Sequence, residues 1–513
     1  MVAIPALVHM CKRLTYIVTI VGSSALNTHG KVVGDDINTP RTTPWISYTF
    51  LYLILQALAF FVICSVFRWI RTSTAAHPTI PSGAAEKSPK DSVNAGPHKP
   101  LDTNKNREVG LWTPQKFNYP EISPSRDIME IQPIPYRPFR WGQYHVTMGI
   151  RSMPWNEWIE LDSDFVYYQR VRQFRLCTRG RDIVRVLPPR SDGLVITPGG
   201  ADAAKELIYE LAEYLARRYP CSFQITRLHP WTSRVPSVGG IPLGWDDKMP
   251  IWTITALATG VTYDLSKLET LQCTEMGEEA MKIVTGLVQE DMAIMIEGTD
   301  GKYYFQAGSI CVPGFWRMRD KIGKPLDEIH LSGNVPQFKE KLKTSMERFF
   351  RRMAVDKPVI RNNYFIQVVK PSKDTRAAGD GRSYDIEGET ASDVDPEELG
   401  WSDSGHGHSA DPAVYLCPAT LRLRSERQTL RRLPRTGAIV FGIRTYLFKV
   451  EDLVRERGVA GRLASAVRSW PEEVAVYKGR DMYRDVLLGY LDECAEKEGI
   501  TDGPDEGMLP YPY

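Results

Sequence analysis

The chain contains an arginine-rich stretch that runs directly into an apolar one, TLRLRSERQTLRRLPRTGAIVFGIRTY, residues 420–446. Seven arginines fall within 23 residues of it: Arg422, Arg424, Arg427, Arg431, Arg432, Arg435 and Arg444. The pattern predicts a strand, on which Arg422 and Arg424 share one face with Glu426. Arg427 and Gln428 are predicted to lie at a change of direction before LPRTG. Guanidiniums beside an apolar strand suit bidentate pairing with carboxylates, and the alternative for each arginine is a solvated ladder of ion pairs.

Charge and cysteine usage exclude some classes of protein. The 513 residues carry 64 basic and 62 acidic side chains, a net charge of +2. A nucleic-acid binder normally has a larger basic excess, so no nucleic-acid partner is predicted. The eight cysteines form no CxxC pair. That spacing indicates neither a disulfide framework nor a zinc or iron–sulfur site, and it favours reduced thiols facing the cytosol.

A run of 22 residues without formal charge, ISYTFLYLILQALAFFVICSVF, extends from Ile46 to Phe67. This length predicts one transmembrane helix within residues 45–70, after an N-terminal segment of residues 1–44. The excess of Arg and Lys after the run places the C-terminal part in the cytosol. We expect a single-pass protein of the endoplasmic reticulum with a lipid membrane as partner. A shorter apolar run, residues 14–26, is alternatively a cleavable signal.

Two polar tracts delimit the predicted folded domain, residues 111–500. Residues 71–110 are rich in Pro, Ser, Ala, Gly and Lys and predict a disordered linker. Residues 371–411 carry eleven acidic and three basic side chains and predict a disordered acidic insertion. His406 and His408 within it are a possible metal site, against the simpler interpretation of a solvated loop. Residues 501–513 form a tail.

Periodicity within the domain predicts a mixed fold. Helical spacing of apolar residues occurs over residues 201–218, 337–353 and 471–498. Strand patterns occur in QEDMAIMIEG, KYYFQAGSICVP, PVIRNNYFIQVV and GAIVFGIRTYLFKV, and a TDG turn separates the first two. The predicted class is α+β, an antiparallel sheet with helices packed on one side.

His330 ends the segment DKIGKPLDEIH. Pro325 can open a helical turn there, and Leu326 and Ile329 give that turn an apolar face. A neutral imidazole that projects from such an element into an apolar cavity is a typical ligand of haem iron. The alternative is a histidine packed in the core or beside a helix C-terminus.

Acidic pairs offer a second kind of candidate site. Glu290 and Asp291 are adjacent in a predicted strand and therefore point to opposite faces, so at most one lines a pocket, where it can hold a substrate ammonium group. Asp162 and Asp164 are another pair, with surface acids as the default interpretation. No GxSxG, HExxH, GxxxxGK[ST] or GxGxxG motif occurs, which disfavours a hydrolase or transferase and a nucleotide site on this chain.

Several of these segments resemble one family. LRSERQTLRRLPRTGAIVFGIRTY, VQEDMAIM, SICVPGFWRMRDKIGKPLDEIH, KPVIRNNYFI and GIRSMPWNEWIELDSDFVYYQR are similar to the haem-dependent oxidative N-demethylases, typified by the α subunit of bacterial dimethylamine monooxygenase. The resemblance covers residues 136–488. It implies a PAS-like antiparallel sheet with flanking helices that binds haem and O2 and oxidises an N-methyl amine.

The resemblance also implies roles for residues. His330 matches the histidine that closes the KxGxxLxxIH pattern and becomes the candidate iron ligand. Arg361, Arg435 and Arg444 are candidates for cofactor binding, and Arg427 and Gln428 for catalysis. Glu290 and Asp291, which come from the strand pattern and not from the resemblance, complete the catalytic candidates. Their roles in propionate pairing and in polarising dioxygen are not divided. The acidic insertion and the predicted membrane span depart from the family pattern, which leaves the substrate open.

The implied function is that of a membrane-anchored haem monooxygenase acting on an amine or another small metabolite. Because the chain has no nucleotide loop or clustered cysteines, electrons derived from NAD(P)H are expected to arrive through a partner flavoprotein reductase. The alternative is a haem-based PAS-like sensor of gases or small molecules without turnover, since the fold alone does not decide function.

Overall fold

The computed structural model describes residues 107–227, 235–245, 249–314, 316–368 and 416–500. All of them belong to one compact unit. The predicted membrane span, most of the linker, the acidic insertion with His406 and His408, and the tail lie outside these ranges. No helix within them is both long and apolar enough to cross a bilayer. The Arg107 side chain already pairs with Glu297, so packed structure begins slightly before the predicted boundary at residue 111.

The described residues form ten α-helices and one π-helical segment. The helices are α1 (Phe165–Arg179), α2 (Ala201–Arg218), α3 (Cys273–Leu287), α4 (Met318–Lys321), α5 (Leu326–Leu331), α6 (Lys343–Arg352), α7 (Val450–Leu453), α8 (Val459–Arg468), α9 (Glu472–Tyr477) and α10 (Arg484–Glu498). The π-helical segment, Phe338–Leu342, leads directly into α6.

The described strands number fourteen. They are β1 (Arg151–Ser152), β2 (Val184–Val186), β3 (Arg190–Asp192), β4 (Val195–Thr197), β5 (Phe223–Arg227), β6 (Ser237–Val238), β7 (Ile241–Pro242), β8 (Ile251–Ala256), β9 (Val261–Asp264), β10 (Asp291–Glu297), β11 (Tyr303–Ser309), β12 (Val359–Val368), β13 (Leu421–Arg432) and β14 (Ile439–Lys449).

Seven strands form the main sheet in the order β1-β12-β13-β14-β10-β11-β2, and every neighbouring pair is antiparallel. This confirms the predicted α+β class. The arginine-rich strand β13 lies between β12 and β14, and all twelve of its residues are buried. It continues without interruption through Arg427 and Gln428, so the predicted change of direction there is wrong. The chain turns only after Arg432, where Gly437 adopts a φ of +70° that favours glycine.

Helices cover both faces of this sheet, not one as predicted. Along β10, Met292 and Ile294 pack into the apolar core that includes residues of α1, α2 and α3. Their neighbours Ala293 and Met295 pack on the opposite face, against α5, the π-helical segment and α6. This alternation follows from the two-residue repeat of a strand. A third cluster joins one end of the sheet to α7, α8, α9 and α10.

Most of the predicted elements are present, with one break. The helix at residues 201–218 and the strand patterns around β10, β11, β12 and β14 are confirmed. The predicted helix at 471–498 is instead divided into α9, a short 3-10 turn and α10. The break occurs at Gly479, whose φ of +64° is left-handed and cannot continue an α-helix.

Candidate functional site

A cavity of about 300 Å³ lies between the main sheet and the layer of short helices. Apolar side chains supply most of its wall, for example Met295 and Phe305 from the sheet and Leu342 and Phe350 from the helical side. Polar groups are concentrated where β12 and β13 face the cavity. A mainly apolar chamber with a few convergent polar groups is the usual form of a small-molecule or cofactor site.

His330 lies in the wall formed by the short helices. It is in the last turn of α5, and its Nδ1 lies 2.7 Å from the carbonyl oxygen of Leu326. A carbonyl oxygen only accepts hydrogen bonds, so this contact places the ring proton on Nδ1 and leaves the lone pair on Nε2. A backbone carbonyl that fixes the tautomer in this way is typical of histidines that ligate a metal.

Two aromatic rings hold the imidazole in place. The ring of Phe338 stacks on it with centroids 4.9 Å apart, and the ring of Trp316 meets it edge-on at 5.4 Å. Burial lowers the pKa of His330 to about 4, and the positive charges of Arg361 and Lys321 act in the same direction. The imidazole is therefore neutral near pH 7, which is the state that binds a metal.

Polar side chains from β12 and β13 form a connected group on the sheet wall. Glu426 is its centre: one carboxylate oxygen accepts from Arg424 at 3.0 Å, and the other accepts from Gln428 at 2.9 Å and from Asn363 at 3.4 Å. All four residues line the cavity. The amide oxygen of Gln428 accepts no hydrogen bond from the described residues. The group therefore has an open acceptor in a largely apolar chamber.

Arg361 lies beside this group and differs from its neighbours. It lines the cavity, and its Nε has no hydrogen-bond partner within the described ranges. Burial lowers its pKa, while the charge of Glu426 partly offsets that effect. A guanidinium that is partly shielded from water and forms no ion pair with a described residue is energetically costly. Arg361 is therefore the cavity residue best suited to receive a carboxylate from a ligand.

Three cavity residues were not predicted from the sequence. Lys478 follows α9 and donates to the backbone carbonyl of Tyr364, and burial lowers its pKa to about 7. Lys321 donates to the carbonyl of Ile329 at 3.2 Å, and Tyr477 lines the same wall. Lys321 is the first residue of the KxGxxLxxIH pattern, but the sequence predicted no role for it. Lys478 and Tyr477 fall in no recognisable motif, so only the fold brings them to the site.

Glu290 and Asp291 lie on opposite faces of the sheet. Asp291 lines the cavity, but it is bound by Arg172 at 2.8 Å and by the backbone N–H groups of Cys311 and Val312, both at 2.8 Å. Glu290 lies on the opposite face, where one oxygen accepts from the backbone of Glu160 and the other has no partner within the described ranges. Burial raises the pKa of Glu290 to about 7.

The structure does not bring Arg427, Arg435 or Arg444 into the cavity. Arg427 lies 3.2 Å from Glu160, and Arg444 lies 2.7 Å from Asp162. Arg435 lies 3.0 Å from Glu210 of α2. All three pair with carboxylates on the α1–α3 side of the sheet. Of the predicted site residues, the cavity thus contains His330, Arg361, Gln428 and Asp291.

Two further histidines of the domain predicted over residues 111–500 differ from His330. His145 is exposed, and His229 lies outside the described ranges. Asp162 is buried and accepts from Gln289 as well as pairing with Arg444, so it is not the surface acid that was the default interpretation. These placements leave His330 as the candidate ligand among the described histidines.

The family model for haem-dependent oxidative N-demethylase, alpha subunit-like, matches residues 149–488. This range includes α5, the cavity face of the main sheet and α9. The chain belongs to this family, as its motifs indicated. The family identifies it as a haem-dependent oxidoreductase.

Proposed function

We propose that the chain is a haem-dependent monooxygenase that oxidatively demethylates an N-methyl amine, or oxidises a related C–H bond of a small metabolite. The observation that carries this proposal is His330. Its imidazole is neutral, its Nδ1 donates to the carbonyl of Leu326 so that the lone pair is on Nε2, and the residue lines a mainly apolar cavity. Nε2 of His330 would then ligate the haem iron.

The residues of the cavity fit this cofactor in three respects. Nε2 of His330, which carries the lone pair, would supply a nitrogen ligand for the iron. The guanidinium of Arg361, which has no hydrogen-bond partner at Nε in the described part of the chain, supplies a cation for a propionate. The apolar walls suit the faces of a porphyrin. We therefore propose that Arg361 pairs with a propionate. Arg435 and Arg444 are not proposed for this role, because their charges are already paired with carboxylates on the opposite face of the sheet.

When bound, haem supplies dioxygen binding and the oxidising chemistry. The chain's part is to position groups around it. Phe338 and Trp316 hold the His330 ring, and the apolar wall excludes water. The sheet wall presents the open oxygen of Gln428, which can accept an N–H of an amine substrate. The adjacent Glu426 carboxylate supplies negative charge for a substrate ammonium group.

In this proposal Arg427 and Glu290 support the sheet and do not contact the substrate. Asp291 acts similarly, since Arg172 and two backbone N–H groups already occupy its oxygens. We further propose that residues 45–70 anchor the domain of residues 111–500 in the membrane of the endoplasmic reticulum. Residues 71–110 would then act as a linker, and a flavoprotein reductase would supply electrons from NAD(P)H.

The test is an absorption titration of the purified chain with haemin. We expect a Soret band at one haem per chain, and a His330→Ala variant that loses the ferrous-CO spectrum of a histidine-ligated iron. His145→Ala is the matched control, because that histidine is exposed, and it is expected to bind haem normally. A wild-type chain that takes up no haem, or a His330→Ala variant with an unchanged spectrum, would contradict the assignment.

Turnover separates the enzyme from the sensor alternative. With NADPH, a reductase and a panel of N-methyl amines, we expect O2-dependent release of formaldehyde. Reversible binding of O2 or CO without product from any amine would instead support a sensing module.

A further inference from the structure

The segment 338–352 has two different faces. Its inner side chains Phe338, Leu342, Met346 and Phe350 are buried, and the last three line the cavity. Its outer side chains are strongly basic. The whole segment contains six basic and two acidic residues. One short element thus separates the cavity from a positively charged surface.

The outer basic residues form what we call the basic face: Lys339, Lys341, Arg348, Arg351 and Arg352, all exposed. None of the five forms an ion pair with another described residue. The sixth basic residue of the segment, Lys343, does form ion pairs, with Asp327 at 3.2 Å and Glu347 at 3.9 Å. Lys341, Arg348 and Arg352 follow one another at spacings of seven and four residues, which places them on one stripe of the helix. The charges are therefore available to a partner.

The basic face also lies next to the candidate iron ligand. Phe338 stacks on His330 at 4.9 Å between ring centroids, and the next residue along the chain, Lys339, is at the surface. A partner docked on this face is separated from the cavity by the thickness of this one helical segment, about 10 Å. Short separation favours electron transfer, and charge complementarity raises the rate of encounter.

We infer that the basic face is the docking surface for a negatively charged electron-transfer protein that reduces the iron in this cavity. The inference rests on the proposed function and specifies where its partner binds. In each encounter one electron leaves the reduced donor and one is taken up by the ferric iron. The apolar side of the segment is already buried over the cavity, so the surface offers charge and no free apolar face for insertion into a lipid bilayer.

The first experiment measures binding and does not require haem. The probe is an acidic flavodoxin, and its affinity for the full chain is measured by calorimetry at low and high salt. The test variant is Lys341→Glu/Arg348→Glu/Arg352→Glu. The control, Lys282→Glu/Arg455→Glu/Arg484→Glu, makes the same change in net charge at exposed sites elsewhere. We expect the affinity to fall at least about tenfold in the test variant and much less in the control.

The second experiment uses the haem-loaded chain and follows reduction of the ferric protein by the reduced flavodoxin in a stopped-flow instrument. We expect a rate at least about tenfold lower in the test variant, and a salt dependence that is steep for the wild type and shallow for that variant. The Soret band of each sample is recorded first. A wild-type chain that binds no haem contradicts the proposed function. The flavodoxin-binding experiment, which needs no haem, still tests the docking surface in that case.

Four outcomes would overturn the inference. In the first, the wild type and both variants bind the flavodoxin equally. In the second, both variants lose affinity for it to the same extent. In the third, the test variant loses affinity only for vesicles of anionic phospholipid, and in the fourth it changes only in self-association. The second would show an effect of net charge alone, the third a membrane contact, and the fourth an interface between copies of this chain.

Discussion

The two faces of the main sheet use the same residue type in different ways. Towards α1–α3, Arg427 and Arg444 have carboxylates from the segment just before α1, and Arg431 pairs with Glu210 of α2. Towards the cavity, Arg424 has Glu426 on its own strand, whereas Arg361 has no ion-pair partner within the described ranges. The difference lies in the ion pairs: an arginine paired with a carboxylate stabilises the fold, and one without a described carboxylate partner is a candidate to bind an anionic ligand.

We expect the largest loss of stability when one partner of an ion pair on the α1–α3 face of the sheet is removed. In Arg444→Met, the carboxylate of Asp162 stays buried without its cation, and we expect the free energy of unfolding to fall by about 3–5 kcal/mol. Urea denaturation measures this loss. Asp162→Asn in the same chain should restore part of it, and Arg455→Met, at an exposed position, should change it by less than about 0.5 kcal/mol. A small loss in Arg444→Met would remove the distinction between the faces.

Glu290 tests the same face by pH. Because burial raises its pKa to about 7, the folded state retains a proton that the unfolded state loses above its own pKa. Its contribution to stability is present below about pH 4.5 and decreases by about 3 kcal/mol as the pH rises through 7. In Glu290→Gln we expect this decrease in stability with rising pH to be absent. The free energy of unfolding is measured at pH 5 and pH 8 for the wild type, for Glu290→Gln and for the surface control Glu347→Gln. The prediction is contradicted if the stability of Glu290→Gln changes with pH as much as that of the wild type.

The cavity face should respond least in stability. In Arg361→Met no described carboxylate loses an ion pair, so we expect the free energy of unfolding to change by less than about 1 kcal/mol. Haem affinity should fall about tenfold, because a charge-assisted contact is lost. Haemin titration measures this, with Arg351→Met as a surface control. A strongly destabilised variant with normal haem affinity would place Arg361 with the structural arginines.

The sequence was informative wherever local pattern decides structure. β-branched and aromatic runs located β10, β11, β12 and β14, and α2 was bounded correctly from its apolar spacing. Opposite orientation of Glu290 and Asp291 followed from strand geometry alone. α1 and α3 were not predicted, and the break at Gly479 was missed, because a glycine in a helical pattern indicates neither a stop nor a continuation unless its φ is known.

The partners of the arginines were beyond the reach of the sequence. Arg444 pairs with Asp162 across 282 positions, and Arg431 pairs with Glu210 across 221. No local pattern indicates which acid meets which base over such separations. Extending strand alternation from Arg424 through Glu426 to Gln428 would have grouped these three on the cavity face. The interrupted strand that was predicted at Arg427 prevented that step.

The two walls of the cavity differ in how firmly they are built. One is a sheet whose central strand is hydrogen-bonded along both edges. The other combines α4 with four residues, α5 with six, a π-helical segment with five and α6 with ten. Such short elements have few internal hydrogen bonds and open at lower cost than a sheet. Local opening of the cavity is therefore expected on the helical side before it occurs in the sheet.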